Sequence, residues 1–339
     1  MRRVLVVRVG AMGDVLHALP AVAALRAARP DWVVDWVVDE RWRPLLVGDA
    51  GGPVVRAALT VPVKAWKQAP LSLATMRSFA AFRRLRGEYD VVVDMQGTLR
   101  SAAIGRLAGG GAPLAGESLL AGYRDPRERL AGWLYARRFE RTGTHVVEQG
   151  AALLGAACGV ELQPVAGEIA RTEGAESWAE TLVAGRKICV LAPRAGWTTK
   201  QWPVERFGEL AWRLRERGYA CVVNATGAED ELAAGVVAAS DGAAAMAVCD
   251  VAGLIALVRR ASLLVGGDSG PMHLAALLGV PVVALFGPTD PARNGPWGPG
   301  AKAVLRDAAS ENSYRRTGGL DAGLAKISVE QVLAAVGGV

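Results

Sequence analysis

GGDSGPMHLAALLGVPVVALFGPTDP, residues 266–291, is the stretch whose reading decides the fold. An apolar run over 261–265 ends in Gly266, Gly267, Asp268 and Ser269. A short helical pattern then opens at Pro271 and stops at Gly279, and a second apolar run over 281–286 closes in another Gly-Pro turn. Strand, turn, helix, strand is half of a nucleotide-binding unit. Pro suits the first helical turn, where its missing N–H would find no partner anyway, and Gly suits the stop. The helix start therefore offers free backbone N–H groups and a positive dipole end, for which a diphosphate is the natural guest. Taken alone, the same residues read equally as a tight turn with Asp268 or Ser269 as an ordinary helix cap.

Outward from this unit the alternation continues. In the first half the patterning predicts strands over 3–9, 33–38, 54–61 and 89–94, and helices over 15–28 (with Pro20 inside), 72–86, 127–138 and 146–158. Leu73, Met76, Phe79, Phe82 and Leu85 fall on one face of the helix over 72–86. In the second half strands are expected over 187–192 and 220–224, with helices over 203–217, 229–239, 251–260 and a last one over 328–336 capped by Ser328. Such β–α alternation implies parallel sheets covered by helices on both faces. At 339 residues the chain exceeds the usual single domain. Two doubly wound α/β domains are expected, 1–170 and 171–339, with the last helix free to pack back on the first. Open α/β sheets bind ligands at the carboxyl ends of their strands, so a central cleft between the two domains is the expected site.

Hydrophobic residues make up 51% of the chain and charged residues 21%, which excludes disorder. The net charge of +6 lies entirely in the first half, where 22 Lys and Arg face 16 Asp and Glu; residues 171–339 carry 17 of each. The first half is thus expected to meet something anionic. Nucleic acid is not supported, because the basic residues are scattered and no recognition motif accompanies them. Cys158, Cys189, Cys221 and Cys249 lie far apart with no C-x-x-C spacing, as expected of buried reduced thiols in the cytoplasm. Arg2, Arg3, Arg8 and Asp14 interrupt the first apolar run, which does not fit a secretory signal. Asp250, Arg259 and Arg260 break the best candidate for a membrane span, so any membrane association is expected to be peripheral.

Three constellations carry possible chemistry. The first, RVGAMGDVLH over 8–17, follows strand one. Its glycines run G-x-x-G rather than G-x-G-x-x-G, which disfavours a nicotinamide dinucleotide even though Asp39 ends the second strand where a ribose-binding acid would sit. Asp14 is either a carboxylate positioned to accept a proton from a hydroxyl or a helix-cap residue. The second, APRAGWTTKQWP over 192–203, is a polar loop in which Lys200, Thr198 and Thr199 could hold phosphate oxygens, and in which the ammonium would stabilise a departing diphosphate; a solvated loop lysine is the commoner fate. The third, TGAEDE over 226–231, offers an acid to a ribose or to the dipole of the next helix. His145 has no partner at ligand spacing, and neither H-x-x-x-H nor D-x-D occurs where a metal would need it. Trp197, Trp202 and Trp297 are expected near the cleft.

Together these residues resemble glycosyltransferase family 9, the ADP-heptose:lipopolysaccharide heptosyltransferases. The resemblance rests on VGAMGDVLHALP over 9–20, KQWP over 200–203 and DSGPMHLAAL over 268–277, in that order. It implies a GT-B fold of two Rossmann-like domains and an inverting transfer of heptose from ADP-L-glycero-D-manno-heptose to a Kdo residue of the lipopolysaccharide inner core, with no metal. In that case Asp14 is the general base and Lys200 assists departure of ADP. The donor is held by Thr198, Thr199, Asp268, Ser269, Gly270, Pro271, Met272 and His273, with Glu231 on the adenosine ribose. The acceptor, a Kdo-lipid A type glycolipid at the inner face of the cytoplasmic membrane, is met by Gly13, Lys64, Lys67 and Arg127. A later inner-core acceptor or another nucleotide-sugar keeps the same chemistry. A non-catalytic glycan-binding relative would have no use for both Asp14 and Lys200.

Overall fold

Runs rich in Val, Leu, Ile and Ala form the central strands of both sheets, which are buried on both faces. The computed structural model describes residues 1–111, 118–313 and 319–339. They fall into two units, Met1–Ala170 and Arg171–Val339.

The first unit runs β1 (Arg3–Val7), α1 (Met12–Ala28), β2 (Val33–Asp39), β3 (Ala57–Val61), α2 (Val63–Gln68), α3 (Leu73–Ala81), β4 (Val91–Asp94), α4 (Leu99–Leu107), β5 (Gly110–Gly111), β6 (Ser118–Tyr123), β7 (Arg137–Phe139) and α5 (Val146–Cys158). Its sheet has the order β3-β2-β1-β4-β6-β5, with β7 also on β6, and every pairing is parallel. The second unit runs α6 (Glu173–Val183), β8 (Ile188–Ala192), α7 (Val204–Glu216), β9 (Ala220–Ala225), α8 (Glu231–Ala239), β10 (Ala244–Val248), α9 (Val251–Arg259), β11 (Leu263–Gly267), α10 (Gly270–Leu277), β12 (Val282–Phe286), α11 (Pro291–Asn294), β13 (Lys302–Arg306) and α12 (Val329–Val336). Its sheet order, β10-β9-β8-β11-β12-β13, is again parallel throughout. The winding direction reverses between β1 and β4 in one unit and between β8 and β11 in the other. Ligands of such sheets sit at these reversal points, outside the carboxyl ends of the strands.

Several expectations are corrected. The helix expected over 127–138 is instead a 3₁₀ turn, Arg129–Leu134, followed by β7. Tyr135 breaks the helix by turning extended, which lets its hydroxyl donate to the buried Asp94 carboxylate at 2.8 Å. Gly122 leaves the space for that ring, since a Cβ there would come within 2.4 Å of it. The helix over 72–86 is α3 and then a 3₁₀ turn, Phe82–Leu85. Its supposed single apolar face divides: Phe79 stacks on buried Trp66 and Phe82 is buried, whereas Leu73 and Met76 are exposed. The final helix packs on α7 inside the second unit. Trp202 Nε1 donates to the Ile327 carbonyl at 3.0 Å, Arg206 to those of Ala325 and Ile327, and Arg217 to that of Leu333 at 2.9 Å. Trp202 is therefore a buried strap for the segment before α12 rather than a ligand-facing ring. All four thiols are free, three buried and Cys249 partly so. Burial pushes the Cys158 thiol up to about 12. Among the described residues no helix is long and apolar enough to cross a membrane.

Gly208 is where α7 meets α8: a Cβ there would lie 2.5 Å from the carbonyl carbon, oxygen and Cβ of Ala239. Alanine would gain about 1 kcal/mol of helix propensity. Forcing two backbones apart costs about 1–3 kcal/mol. We expect Gly208→Ala to be net destabilising, seen as a lower urea midpoint at unchanged slope; a raised midpoint would contradict the packing.

Candidate active site

In the second unit, paired glycines bring two segments into contact. A Cβ on Gly267 would lie 2.8 Å from the Lys200 carbonyl oxygen, and one on Gly266 would lie 3.0 Å from that of Ala192. Their absence lets the 3₁₀ turn Thr198–Lys200, which leaves β8, lie against the end of β11. Lys200 Nζ then reaches Asp268 Oδ2 at 2.5 Å and stands 4.3 Å above the centre of the Trp197 ring. Asp268 also accepts from Thr289 Oγ1 at 2.9 Å through Oδ2, and its Oδ1 lies 3.0 Å from His273 Nε2. Burial alone would push this carboxyl up; His273 and the Lys200 ammonium outweigh it and hold the group well below the usual carboxylate range. Its ionised form thus contributes stability above about pH 4, lost only as pH falls well below that range.

Ser269 occupies the cap position of α10, yet its hydroxyl caps nothing. Ser269 Oγ and Thr199 Oγ1 are both buried without a hydrogen-bond partner. Buried hydroxyls normally find a partner, and an orphan in a polar site points to a group that comes and goes. The capping reading of Asp268 and Ser269 therefore fails: one serves Lys200, His273 and Thr289, and the other is unused. Met272 and His273 are buried, and Pro271 lies in the first turn. The His273 amide is already bonded to the Ser269 carbonyl at 3.2 Å. An expected anion grip over 269–273 thus loses the His273 amide and Pro271, which has no N–H, and keeps the Gly270 and Met272 amides, which precede the first intrahelical bond.

Thr198 is exposed beside this turn. Around β9 the acids separate. Asp230, not Glu231, is the buried cap of α8, accepting from Ala233 N at 3.3 Å and from Thr226 N and Oγ1 at 3.1 Å each. Arg194 binds it through two nitrogens, at 2.5 and 3.2 Å. Burial opposes ionisation, but the Arg194 guanidinium and the Thr226 and Ala233 amides hold Asp230 down to about 2. Glu231 is exposed in the first turn of α8.

In the first unit, β1 ends at the reversal point and Asp14 sits in the first turn of α1. Its Oδ1 pairs with Arg8 at 2.7 Å and its Oδ2 accepts from Ala11 N at 3.0 Å. A carboxylate has about four acceptor sites, so two remain for another partner. Gln96 Oε1, from the loop after β4, accepts from Val9 N and Gly10 N at 3.1 and 3.2 Å and so fixes the turn that carries Asp14. Gly10 lies against Trp42 where a Cβ would meet the indole at 2.7 Å. Gly13 is half-buried beside Asp14; Lys64 and Lys67 are exposed on α2, which begins at the carboxyl end of β3. Arg127 is exposed beyond β6, its amide close enough to Gly97 that a Cβ there would lie 3.0 Å away. All four stand at the carboxyl edge of one sheet. Asp39, the acid weighed for a ribose, is buried and bound at both oxygens by Arg41, at 2.8 and 2.9 Å.

Sequence reading missed Arg8, Gln96, Arg194 and Thr289. Their common signal is position: each lies within three residues of a strand's carboxyl end. Among the described residues no group of three or more His, Cys, Asp or Glu is placed to hold a metal ion.

Comparison with known proteins places these features in a family. A model of glycosyltransferase family 9 (heptosyltransferase) matches residues 78–320. Lipopolysaccharide heptosyltransferase 1 of Pseudomonas aeruginosa is 33% identical over 87% of this chain and 81% of its own length. The same-named protein of Escherichia coli K12 is 30% identical over 87% and 91%. Among solved structures, E. coli heptosyltransferase WaaC with ADP superposes with a TM-score of 0.76 at 25% identity over 99% of both chains. A family 9 glycosyl transferase from Veillonella parvula shares the fold with a TM-score of 0.81 at 21% identity, covering 99% of this chain and 96% of that one. Two parallel-sheet units, an acid at the first reversal point and a lysine–aspartate pair at the second are borne on a chain that belongs to glycosyltransferase family 9.

Proposed function

We propose that the protein moves heptose from ADP-L-glycero-D-manno-heptose to a Kdo residue of the lipopolysaccharide inner core, with inversion at the anomeric carbon. The observation that carries this reading is the pair of buried, unpartnered hydroxyls, Ser269 and Thr199, on the residues next to Asp268 and Lys200 at the start of α10. A diphosphate supplies the acceptor oxygens that these hydroxyls and the Gly270 and Met272 amides lack. The P. aeruginosa and E. coli relatives named lipopolysaccharide heptosyltransferase 1, and WaaC structures with ADP and with ADP-2-deoxy-2-fluoro heptose, support donor and acceptor class.

Asp14 takes the proton from the acceptor hydroxyl, its orientation held by Arg8 and the Ala11 amide. The freed oxygen attacks the anomeric carbon, and the bond from that carbon to the β-phosphate oxygen breaks, its electron pair leaving with ADP. Lys200, released from Asp268 by the incoming phosphates, meets the charge that develops there, together with the dipole of α10. Asp268 then turns from the lysine to the sugar hydroxyls, still steadied by His273 and Thr289. Thr198 adds a phosphate contact and Glu231 bonds the adenosine ribose. This reading needs no metal, because an ammonium, a helix end and two hydroxyls answer the diphosphate charge. Gly13, Lys64, Lys67 and Arg127 receive the anionic acceptor, whose lipid brings the protein to the inner face of the cytoplasmic membrane.

Asp14→Asn keeps an acceptor for the Ala11 amide but removes the base. Turnover with ADP-heptose and a Kdo-bearing core acceptor should fall 10²–10⁴-fold, about the usual worth of a general base, with ADP affinity unchanged by calorimetry. Intact turnover would refute the assignment. Lys200→Met should lower both ADP affinity and turnover, the latter by about 10²-fold or more, and should lower stability because Asp268 loses its cation. Adding Asp268→Asn should restore the thermal midpoint without restoring transfer. If the double variant regains activity, Lys200 acts on folding alone.

A further inference from the structure

Exposed large apolar side chains are unevenly spread over the first unit. Leu71, Leu73, Met76, Leu99, Leu130 and Trp133 all belong to α3, its lead-in loop, α4 and the 129–134 turn, with Leu71 88% and Trp133 80% exposed. These elements are neighbours, since α4 packs against both α3 and the 129–134 turn. On α3, Leu73, Met76 and Ala80 recur at helical spacing and continue to Arg83, forming an outward stripe. Beside it a shallow groove is lined by Pro70, Thr75, Met76, Phe79, Arg83 and Leu107. A monomer rarely leaves such a cluster open without a partner.

The charge around the cluster identifies that partner. Between Asp49 and Glu88 the chain has seven Lys and Arg and no acid. Arg56 pairs with Asp35, but Lys64, Lys67, Arg77, Arg83 and Arg84 are exposed. Arg129, Arg137 and Arg138, all exposed, lie within five residues of Trp133 in the chain, against one acid, Glu128. Leucines, a methionine and a tryptophan set among cations match an anionic bilayer surface: apolar groups enter the interface, Trp favours the headgroup level, and each cation is drawn to acidic lipid. We infer that α3, α4 and the 129–134 turn form a membrane-docking face for anionic phospholipid. This rests on the proposed lipid-linked acceptor for its purpose, but lipid binding itself needs neither donor nor acceptor.

The test is flotation of the full chain with vesicles of phosphatidylcholine, with and without phosphatidylglycerol and free of any lipopolysaccharide. Binding is expected only with phosphatidylglycerol, weakening as salt screens the cations. Leu73→Ser/Met76→Ser/Trp133→Ser and, separately, Arg77→Gln/Arg83→Gln/Arg84→Gln should each lower the partition coefficient on the order of tenfold or more. Both should keep the wild-type melting temperature and transfer to a water-soluble core saccharide. Equal binding to neutral vesicles, undiminished binding of either variant, or concentration-dependent self-association that the serine variant abolishes without any vesicle binding would overturn the proposal. Vesicle binding without transfer to any acceptor would instead retire the transferase assignment and leave the docking face standing.

Discussion

One buried carboxylate holds the second unit's reversal point together. Asp268 gathers Lys200 from beyond β8, His273 from α10 and Thr289 from beyond β12, so three strand ends are tied at one group. An ion pair so nearly closed to water is costly to build, and removing one partner is worse than removing both. Such a pair is weak evidence for stability as a purpose. On the proposed function its worth is geometric: it stores an ammonium where a diphosphate would claim it, and keeps that ammonium over the face of Trp197 meanwhile. The glycines at 266 and 267 are the precondition, because any side chain at 267 would push the Lys200 backbone away.

The first unit solves the matching problem differently. Its acid, Asp14, lies in the opening turn of a helix and keeps acceptor capacity to spare, with Arg8 and an amide fixing two directions. The turn beneath is pinned by Gln96, and the loop carrying Gln96 is pinned by the buried Asp94, which accepts from the Gln96 and Gly97 amides, Ser101 and Tyr135. Burial pushes the Asp94 carboxyl up, opposed by these donors. On the proposed function one unit thus presents a proton acceptor on a stiff support, and the other a cation on a releasable one.

What the amino-acid pattern could reveal follows from this physics. β11, α10 and β12 were legible because uninterrupted apolar runs bounded by Gly and Pro leave few alternatives. Strand β10, reading AAMAV, and β13, reading KAVLR, were not: alanine carries little strand signal, and an edge strand alternates too briefly to declare itself. Helix α4, LRSAAIGRL, was hidden by its small residues, which are there because it lies close on the sheet: a Cβ on Gly105 would meet Leu120 at 2.7 Å. Asp14, Lys200 and Asp268 stood out by motif, and Arg8 lies inside the same motif as Asp14 without a signal for its role, whereas Gln96, which pins the turn before Asp14, and Thr289, which bonds Asp268, are placed by sheet order, which no local window contains. Asp230 and Glu231 are adjacent in sequence, and only packing decides which is swallowed as a cap and which is left in solvent.

The strap between α7 and the segment before α12 carries a less obvious consequence. Trp202 stands two residues beyond Lys200, and its indole is bonded to the carbonyl of Ile327. Arg206, one turn further, grips the same carbonyl. The loop bearing the ammonium is therefore anchored from behind by residues more than a hundred positions away. A frameshift or nonsense codon shortly before Leu324 would remove that anchor together with the buried apolar face of α12, so the loop bearing Lys200 and the core of the second unit would fail together.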